Sequence, residues 1–142
     1  MDPVSKSAAV NCLEKNWSEF VAKFESLAPE EKTKFLQRQG FANFSALLAH
    51  IMAWWGEALA NIQALAENPG VQLQKYDVDR FNVEAVQAAG GKTEPEVFRE
   101  FEETRKRLLR AVSDVNESLV PNPEMQKQFY WMITNHYAEH KE

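Results

Sequence analysis

The stretch NFSALLAHIMAWWGEALANIQALAE, residues 43–67, decides the fold. Its apolar residues recur at alternating spacings of four and three, which is the period of one face of an α-helix. That face consists of Phe44, Leu48, Ile51, Trp55, Ala58, Ile62 and Leu65. The next residues, Asn68-Pro69-Gly70, are a strong stop signal. We therefore predict a long helix whose single apolar face must pack against other helices.

A second helix is predicted near the N-terminus, where apolar residues again share one helical face. These residues are Val10, Leu13, Trp17, Phe20, Phe24 and Leu27. Ala28-Pro29 should end this helix, because a residue that precedes proline disfavours the helical conformation. A short helical segment is expected in PEEKTKFLQ, residues 29–37, with a stop at Gly40.

Two more helices are predicted in the C-terminal half of the chain. Thr93 and Glu96 form a capping box at the start of one of them. Its apolar face consists of Phe98, Phe101, Leu108, Val112, Val115 and Leu119. Asn122 as N-cap and Pro123 at the first helical position start the last helix. Its face consists of Met125, Phe129 and Met132, and the next position in that series is His136.

Four long amphipathic helices predict an all-α four-helix bundle. The link between the second and third long helices, residues 71–92, is long enough to cross the end of the bundle. It is expected to contain a short helix within DVDRFNVEAVQAA, residues 77–89, before Gly90-Gly91. The absence of repeats and of linker-like composition predicts one domain over residues 1–142.

Composition narrows the class of function. The net charge of −5 disfavours general nucleic-acid binding, since an acidic chain repels phosphate backbones. The single cysteine, Cys12, allows no internal disulfide and no thiolate metal cluster. No apolar run approaches the roughly 20 residues that span a bilayer, and the N-terminus lacks the apolar core of a signal peptide. We therefore expect a cytoplasmic monomer or homodimer that acts on a small-molecule substrate, without nucleic-acid or membrane partners.

The three histidines of the chain form a pattern that suits a metal. His136 and His140 are four residues apart, so a helix places them on one face with Cβ atoms about 5–6 Å apart. His50, at the flank of the apolar face of residues 43–67, can supply a third ligand from a facing helix. Three histidine ligands leave coordination positions open, as in reactive sites. The pattern predicts a divalent-metal site; the alternative is that these are solvated surface histidines.

The segment His136-Tyr-Ala-Glu139-His140 also matches the His-x-x-Glu-His pattern of inverted zinc proteases. In that interpretation Glu139 would be the general base. The chain is too small for the fold of those proteases, so we prefer the three-histidine hypothesis.

Two acidic residues are candidates for catalysis. Glu57 follows His50 by seven residues, two helical turns, and is placed to orient a ligand or to act as general base. The alternative is a solvated glutamate on a long helix. Asp79 lies in the link, which is expected to fold near the site. Its alternative role is to cap the short helix.

Four further residues are candidates for a substrate pocket. Trp54 and Tyr137 neighbour the histidines and suit an apolar lining, with core packing as the alternative. Asn82 lies in the link beside Asp79. Arg105 occupies an apolar position of its helix, so it is a candidate for holding an anionic substrate group, with a surface arginine as the alternative.

Three segments together resemble the DinB-like four-helix-bundle superfamily. They are LLAHIMAWWGEAL on the second long helix, YDVDRFNVEAV in the link and NHYAEH on the last helix. Within the superfamily they look most like the DfsB/ClbS branch, which includes a colibactin self-protection protein. The resemblance runs from about Asn16 to His140, and its histidine positions match His50, His136 and His140.

The resemblance implies a divalent metal, often zinc or nickel, held by these three histidines. Characterised members include isomerases and transferases that use small thiols, and the self-protection member is a hydrolase that opens an electrophilic cyclopropane. A metal of this kind lowers the pKa of bound water to about 7 or deprotonates an incoming thiol. We predict a hydrolase of small electrophiles in detoxification or self-protection. The alternatives are a metal-dependent small-thiol S-transferase and a non-catalytic small-molecule-binding bundle.

Overall fold

A computed structural model describes residues 2–141, and over that range the chain is helical with no strand. The α-helices are α1 (Lys6–Asn11), α2 (Trp17–Ser26), α3 (Pro29–Gln39), α4 (Phe44–Glu67), α5 (Val78–Ala88), α6 (Glu94–Ser113), α7 (Pro123–Lys127) and α8 (Asn135–His140). The first π segment (Cys12–Asn16) joins α1 to α2, and the second π segment (Gln128–Thr134) joins α7 to α8. A 3₁₀ turn spans Glu117–Leu119. Within residues 2–141, no helix has the length and apolarity that crossing a membrane requires.

Four long helices form the bundle. The first is residues 6–26, the second and third are α4 and α6, and the fourth is residues 123–140. α4 packs against α6 and the fourth bundle helix, and the first bundle helix also packs against both. The link between α4 and α6 carries α5, which lies against α4. The predicted all-α four-helix bundle with a helix in its long link is confirmed.

Thr93 and Asn122 cap their helices as the sequence predicts, and Asn43 caps α4 in the same way. Asn43, Thr93 and Asn122 each accept a hydrogen bond from a backbone amide in the first turn of α4, α6 and α7. Gly40 ends α3 in the left-handed conformation, with φ of 82°, which a residue with a Cβ rarely adopts. These caps set where α4 begins, and so fix the position of His50 along it.

The core centres on aromatic rings from different helices. Trp17 and Trp55 are fully buried and meet edge to face, with ring centroids 5.0 Å apart. The ring centroid of Phe101, on α6, lies 5.0 Å from that of Trp55. Such pairs add about 0.5–1.5 kcal/mol to the burial of their surface. They join the first bundle helix, α4 and α6 beneath the histidines.

One predicted core position is wrong: Phe98 is 38% exposed, because the inward face of α6 runs through Val97, Phe101 and Arg105. Other predicted core residues are only partly buried and pack against the core: Val10, Leu27, Phe44, Leu119 and Met132. Beside Met132, Ile133 is fully buried. The reason is the second π segment, in which a wider turn stretches the inward spacing beyond the α-helical period.

Candidate metal centre

The three histidines come from two bundle helices and meet inside the bundle. His50 lies on α4, whereas His136 and His140 lie on α8. Their exposed fractions are 9%, 5% and 8%. One ring nitrogen from each lies within 4.8 Å of the others, and the Nε2 atoms of His50 and His136 are 3.4 Å apart. The structure therefore brings together all three residues that the sequence proposed as ligands.

Hydrogen bonds to oxygen atoms orient two of the imidazoles. His136 Nδ1 lies 3.3 Å from the carbonyl oxygen of Met132, and His140 Nδ1 lies 2.7 Å from Oε1 of Gln39. A carbonyl or amide oxygen can only accept, so each Nδ1 carries the proton. Each Nε2 is then unprotonated and presents a lone pair. The orientation of metal-bound histidines commonly depends on such hydrogen bonds from the second ring nitrogen.

The three imidazoles are neutral near pH 7. Burial, and then the neighbouring His140 and His50, lower the pKa of His136 to about 3. Burial, and then His50, lower the pKa of His140 to about 4. Burial also lowers the pKa of His50, while the nearby Asn82 side chain acts in the opposite direction and less strongly. Neutral imidazole is the form that binds metal ions.

This arrangement fits a divalent metal. His140 Nε2 is buried and makes no hydrogen bond with any described residue, although burying an unpaired polar atom costs about 1–3 kcal/mol. Two nitrogens bound tetrahedrally at about 2.0–2.1 Å would lie about 3.3–3.4 Å apart. The separation of the His50 and His136 Nε2 atoms is 3.4 Å. Three imidazole donors suit zinc, nickel and related ions.

Aromatic side chains enclose the histidines. The ring centroid of Phe41 lies 5.2 Å from that of His50 and 6.4 Å from that of His140. Trp17 lies 5.9 Å from His136, centroid to centroid. This apolar surround limits water and strengthens electrostatic interactions inside it.

The indole of Trp55 supports the same cluster from the core. Its Nε1 donates to the carbonyl oxygen of Met132 at 2.9 Å, the oxygen that also accepts from His136. The carbonyl belongs to the second π segment, where the regular helical hydrogen bonding changes. The Met132 carbonyl oxygen in this π segment thus accepts hydrogen bonds from both a core tryptophan and a histidine.

The link lies against α4 beside His50. Trp54 Nε1 donates to Oδ1 of Asn82 at 2.7 Å, and Trp54 packs on Phe81 with ring centroids 4.1 Å apart. Asn82 is also close enough to affect the pKa of His50. The two pocket candidates Trp54 and Asn82 are therefore in contact with each other next to the site.

The two acidic candidates, Glu57 and Asp79, make no direct contact with the histidines among the hydrogen bonds of the described residues. Tyr76 donates its hydroxyl to Glu57 Oε1 at 3.0 Å, and within residues 2–141 Glu57 makes no hydrogen bond to a histidine. Its catalytic role stays a prediction. Asp79 is exposed in the first turn of α5. The capping role considered for Asp79 is wrong, because Asp77 caps α5 by accepting from the amide of Arg80.

Arg105 is buried, and its guanidinium makes hydrogen bonds within the bundle. Its Nη1 donates to the carbonyl oxygen of Leu13 at 2.9 Å, and its Nε and Nη2 donate to Glu102 Oε2. The surface alternative is wrong, because the residue is only 8% exposed, whereas the role in holding a substrate anion stays a prediction. Arg105 joins α6 to the first π segment.

Tyr137 and Glu139 lie away from the centre of the cluster. Tyr137 packs against Trp17 with ring centroids 5.4 Å apart and lines a surface pocket to which no histidine contributes. Glu139 is exposed and accepts a hydrogen bond from Asn135 at 2.9 Å. The protease interpretation is wrong, because this carboxylate does not face the space between the histidines.

The sequence analysis missed two features of the site. Gln39 is the last residue of α3, and nothing in its local sequence indicates a contact with His140 about a hundred residues later. Cys12 lies near the cluster helices, with Sγ 3.8 Å from the carbonyl oxygen of Ile133. Burial raises the pKa of this thiol to about 12, so it is neither a thiolate ligand nor a nucleophile at neutral pH.

The fold and the site define a four-helix bundle with a buried three-histidine cluster between its second and fourth helices. The sequence matches the DinB superfamily over residues 13–142, and the chain belongs to that family. Members of this superfamily typically bind metal ions. Neither a curated protein nor a solved structure matches the chain.

Proposed function

We propose that His50, His136 and His140 hold one divalent ion, zinc or nickel, and that the protein is an enzyme acting on small electrophilic molecules. The observation that carries the proposal is the meeting of three neutral, buried imidazoles, among which the Nε2 of His140 has no hydrogen-bond partner within the described residues. Within residues 2–141, no fourth histidine, cysteine, aspartate or glutamate joins the group. A closed structural zinc site has four protein ligands, so three favour a reactive site.

The surrounding residues would prepare the site for chemistry. Gln39 and the Met132 carbonyl fix the tautomers of His140 and His136, so that little reorganisation is needed. The rings of Phe41 and Trp17 keep bulk water from the cluster. A bound ion would lower the pKa of a water or thiol at the open position toward neutrality.

The reaction that we infer is hydrolysis of a strained, electron-poor ring, in a detoxification or self-protection role like that of the DfsB/ClbS branch. In such a reaction water adds its hydroxyl to one ring carbon, a ring C–C bond breaks, and the carbon that takes the electron pair is protonated. Support comes from the contact between two of the segments that resemble this branch, the link and α4. Asn82 of the link is hydrogen-bonded to Trp54 of α4, beside His50.

The first test is elemental analysis of protein purified without a histidine tag. The parent should contain close to one zinc or nickel ion per chain, and His50→Ala should contain none. Glu139→Gln is the matched control, because this exposed residue lies next to His140 in sequence and outside the cluster. A parent that remains metal-free after incubation with zinc and nickel salts would rule out the metal centre.

The second test separates hydrolysis from thiol transfer. Metal-loaded protein is incubated with an electron-poor cyclopropane, with and without cysteine, and the products are identified by mass spectrometry. Addition of water in both samples supports the hydrolase. Turnover only with cysteine, with the thiol added to the product, would favour the S-transferase. Tight binding without turnover would favour a binding bundle.

A further inference from the structure

A pocket of about 610 Å³ lies between α2, α3 and the C-terminal end of α8, outside the histidine cluster. Its floor is aromatic. Phe20 and Phe24 come from α2 and Phe35 from α3, and all three are at most 8% exposed. The Phe35 ring centroid lies 6.1 Å from that of Phe20 and 5.8 Å from that of Phe24. The floor is therefore a packed apolar surface, and the volume suits a small ligand.

The rim of this pocket is positively charged. Lys23, Arg38 and Lys141 line it, whereas Glu19 is the one carboxylate among the lining residues. Within residues 2–141, none of the three cations forms an ion pair. Arg38 lies over the Phe35 ring at 5.9 Å, and Lys141 lies 6.0 Å from the ring of a neighbouring tyrosine. This local excess of positive charge occurs in a chain whose net charge is −5.

We propose that this pocket binds a small amphipathic organic anion, with a carboxylate at the rim and an alkyl or aromatic body on the floor. The rim supplies charge complementarity for one anionic group. The floor supplies an apolar surface that a small inorganic anion cannot use. A polyanion would leave that floor uncovered, and a cation would meet like charge at the rim.

The pocket is a separate site from the histidine cluster. Trp17 lies between the two, with ring centroids 5.3 Å from Phe20, 5.4 Å from Tyr137 and 5.9 Å from His136. None of the three histidines lines the pocket. Binding at this pocket therefore does not require a metal, and the proposal goes beyond the proposed function.

Isothermal titration calorimetry with decanoate, below its micelle concentration, tests the proposal. Decanol carries the same alkyl chain without charge, and acetate carries the charge without the chain. We expect one decanoate per chain, with at least tenfold weaker binding of decanol and of acetate. No decanoate binding, or equal binding of decanol, would overturn the proposal.

Variants then locate the site. Arg38→Gln and Lys23→Gln should each weaken decanoate binding about two- to fivefold, as expected for loss of one exposed charge pair. Lys34→Gln is the matched control, because Lys34 is exposed on α3 and does not line the pocket. Equal weakening by Lys34→Gln would mean that only general charge matters, and would overturn the proposal.

A second pair of variants tests the pocket without removing a cation. Leu27 lines the pocket and is only partly buried. Leu27→Glu adds a carboxylate and should weaken decanoate binding more than Leu27→Gln does. His50→Ala should bind decanoate as the parent does, which separates this site from the metal centre. Loss of decanoate binding in His50→Ala would contradict a separate site.

Discussion

Helix α4 carries two buried polar clusters that differ in how their hydrogen bonds are satisfied. One surrounds His50, and the other surrounds Asn61, about 16 Å further along the helix axis at 1.5 Å per residue. Asn61 Nδ2 donates to Gln128 Oε1 at 3.1 Å and lies 3.5 Å from the hydroxyl of Tyr76. In the amide cluster around Asn61, each buried side-chain N or O atom has a partner. In the histidine cluster, the Nε2 of His140 has none within the described residues.

The difference indicates what each cluster does. Buried polar groups in folded proteins are nearly always hydrogen-bonded, so the amide cluster needs nothing beyond the chain itself. The unpaired Nε2 of His140 costs stability in the absence of a ligand. A metal ion bound at that nitrogen would remove this cost. The amide cluster thus has a structural role, and the contrast supports the proposed metal-binding role of the histidine cluster.

The largest effect should come from adding metal. Zinc at a thousandfold excess over its Kd should raise the free energy of unfolding by about 4 kcal/mol. His136→Ala should lose this response and remain folded, whereas Asn61→Leu should retain it. Denaturant unfolding with and without zinc measures all three proteins. Full zinc stabilisation of His136→Ala would remove the distinction between the clusters.

Acid should destabilise the metal-free protein through the histidine cluster. The folded pKa values of His136 and His140, about 3 and about 4, lie below the ordinary value of 6.5, so the unfolded chain binds more protons. Stability is therefore complete above about pH 6.5 and falls as the pH is lowered toward these folded values. The loss is about 1.4 kcal/mol per histidine for each pH unit within that window.

Denaturant titrations of the metal-free chain between pH 7 and pH 5 measure this slope. His136→Gln should reduce this slope, because the variant lacks one of the imidazoles that resist protonation in the folded protein. Asn61→Leu should leave it unchanged, since amides do not titrate. An unchanged slope in His136→Gln would show that other groups cause the acid sensitivity.

Breaking the amide cluster should cost stability without touching metal binding. Asn61→Leu leaves the buried Gln128 Oε1 without a donor, and the expected loss is about 1–3 kcal/mol in the free energy of unfolding. Asn61→Leu with Gln128→Met removes both partners and should recover part of that loss. Zinc affinity should equal that of the parent in both variants. A change in zinc affinity would mean that the two clusters are coupled along α4.

An effect no larger than that of Asn61→Leu should follow from removing the support of one histidine. Gln39→Ala deletes the acceptor that orients His140, and should weaken zinc binding about 10- to 100-fold. Competition with a zinc chelator measures the affinity. Gln37→Ala is the matched control, since Gln37 is exposed on the same helix. Equal zinc affinities of Gln39→Ala and the parent would show that His140 needs no such support.

The sequence predicts the helices well because their signals are local. The Thr93 cap and the Gly40 stop depend on a few neighbouring residues, and both are found as predicted. The histidine spacing indicates that His136 and His140 share a face, but only the packing of α8 against α4 brings them to His50. Contacts between residues far apart in the sequence could not be predicted from these local signals.

The errors have physical causes of the same kind. The hydrogen bond of Arg105 to the Leu13 carbonyl joins residues 92 positions apart, so no local signal indicates it. Asp77 and Asp79 both stand near the start of α5, and local sequence alone does not decide which of them is the N-cap. An unbroken α-helical period predicts Met132 in the core, and the second π segment interrupts that period.

The second π segment makes chain length itself a determinant of the site. An α-helix turns by about 100° per residue, so deleting one residue from Gln128–Thr134 and restoring α-helical geometry would rotate α8 by about that angle. His136 and His140 would keep their spacing on the helix, but their side chains would no longer point toward His50. Such a deletion would barely change composition, charge or hydropathy. A related chain with all three histidines but one residue fewer in this segment would therefore lack the centre, and an alignment gap there would carry as much meaning as a lost histidine.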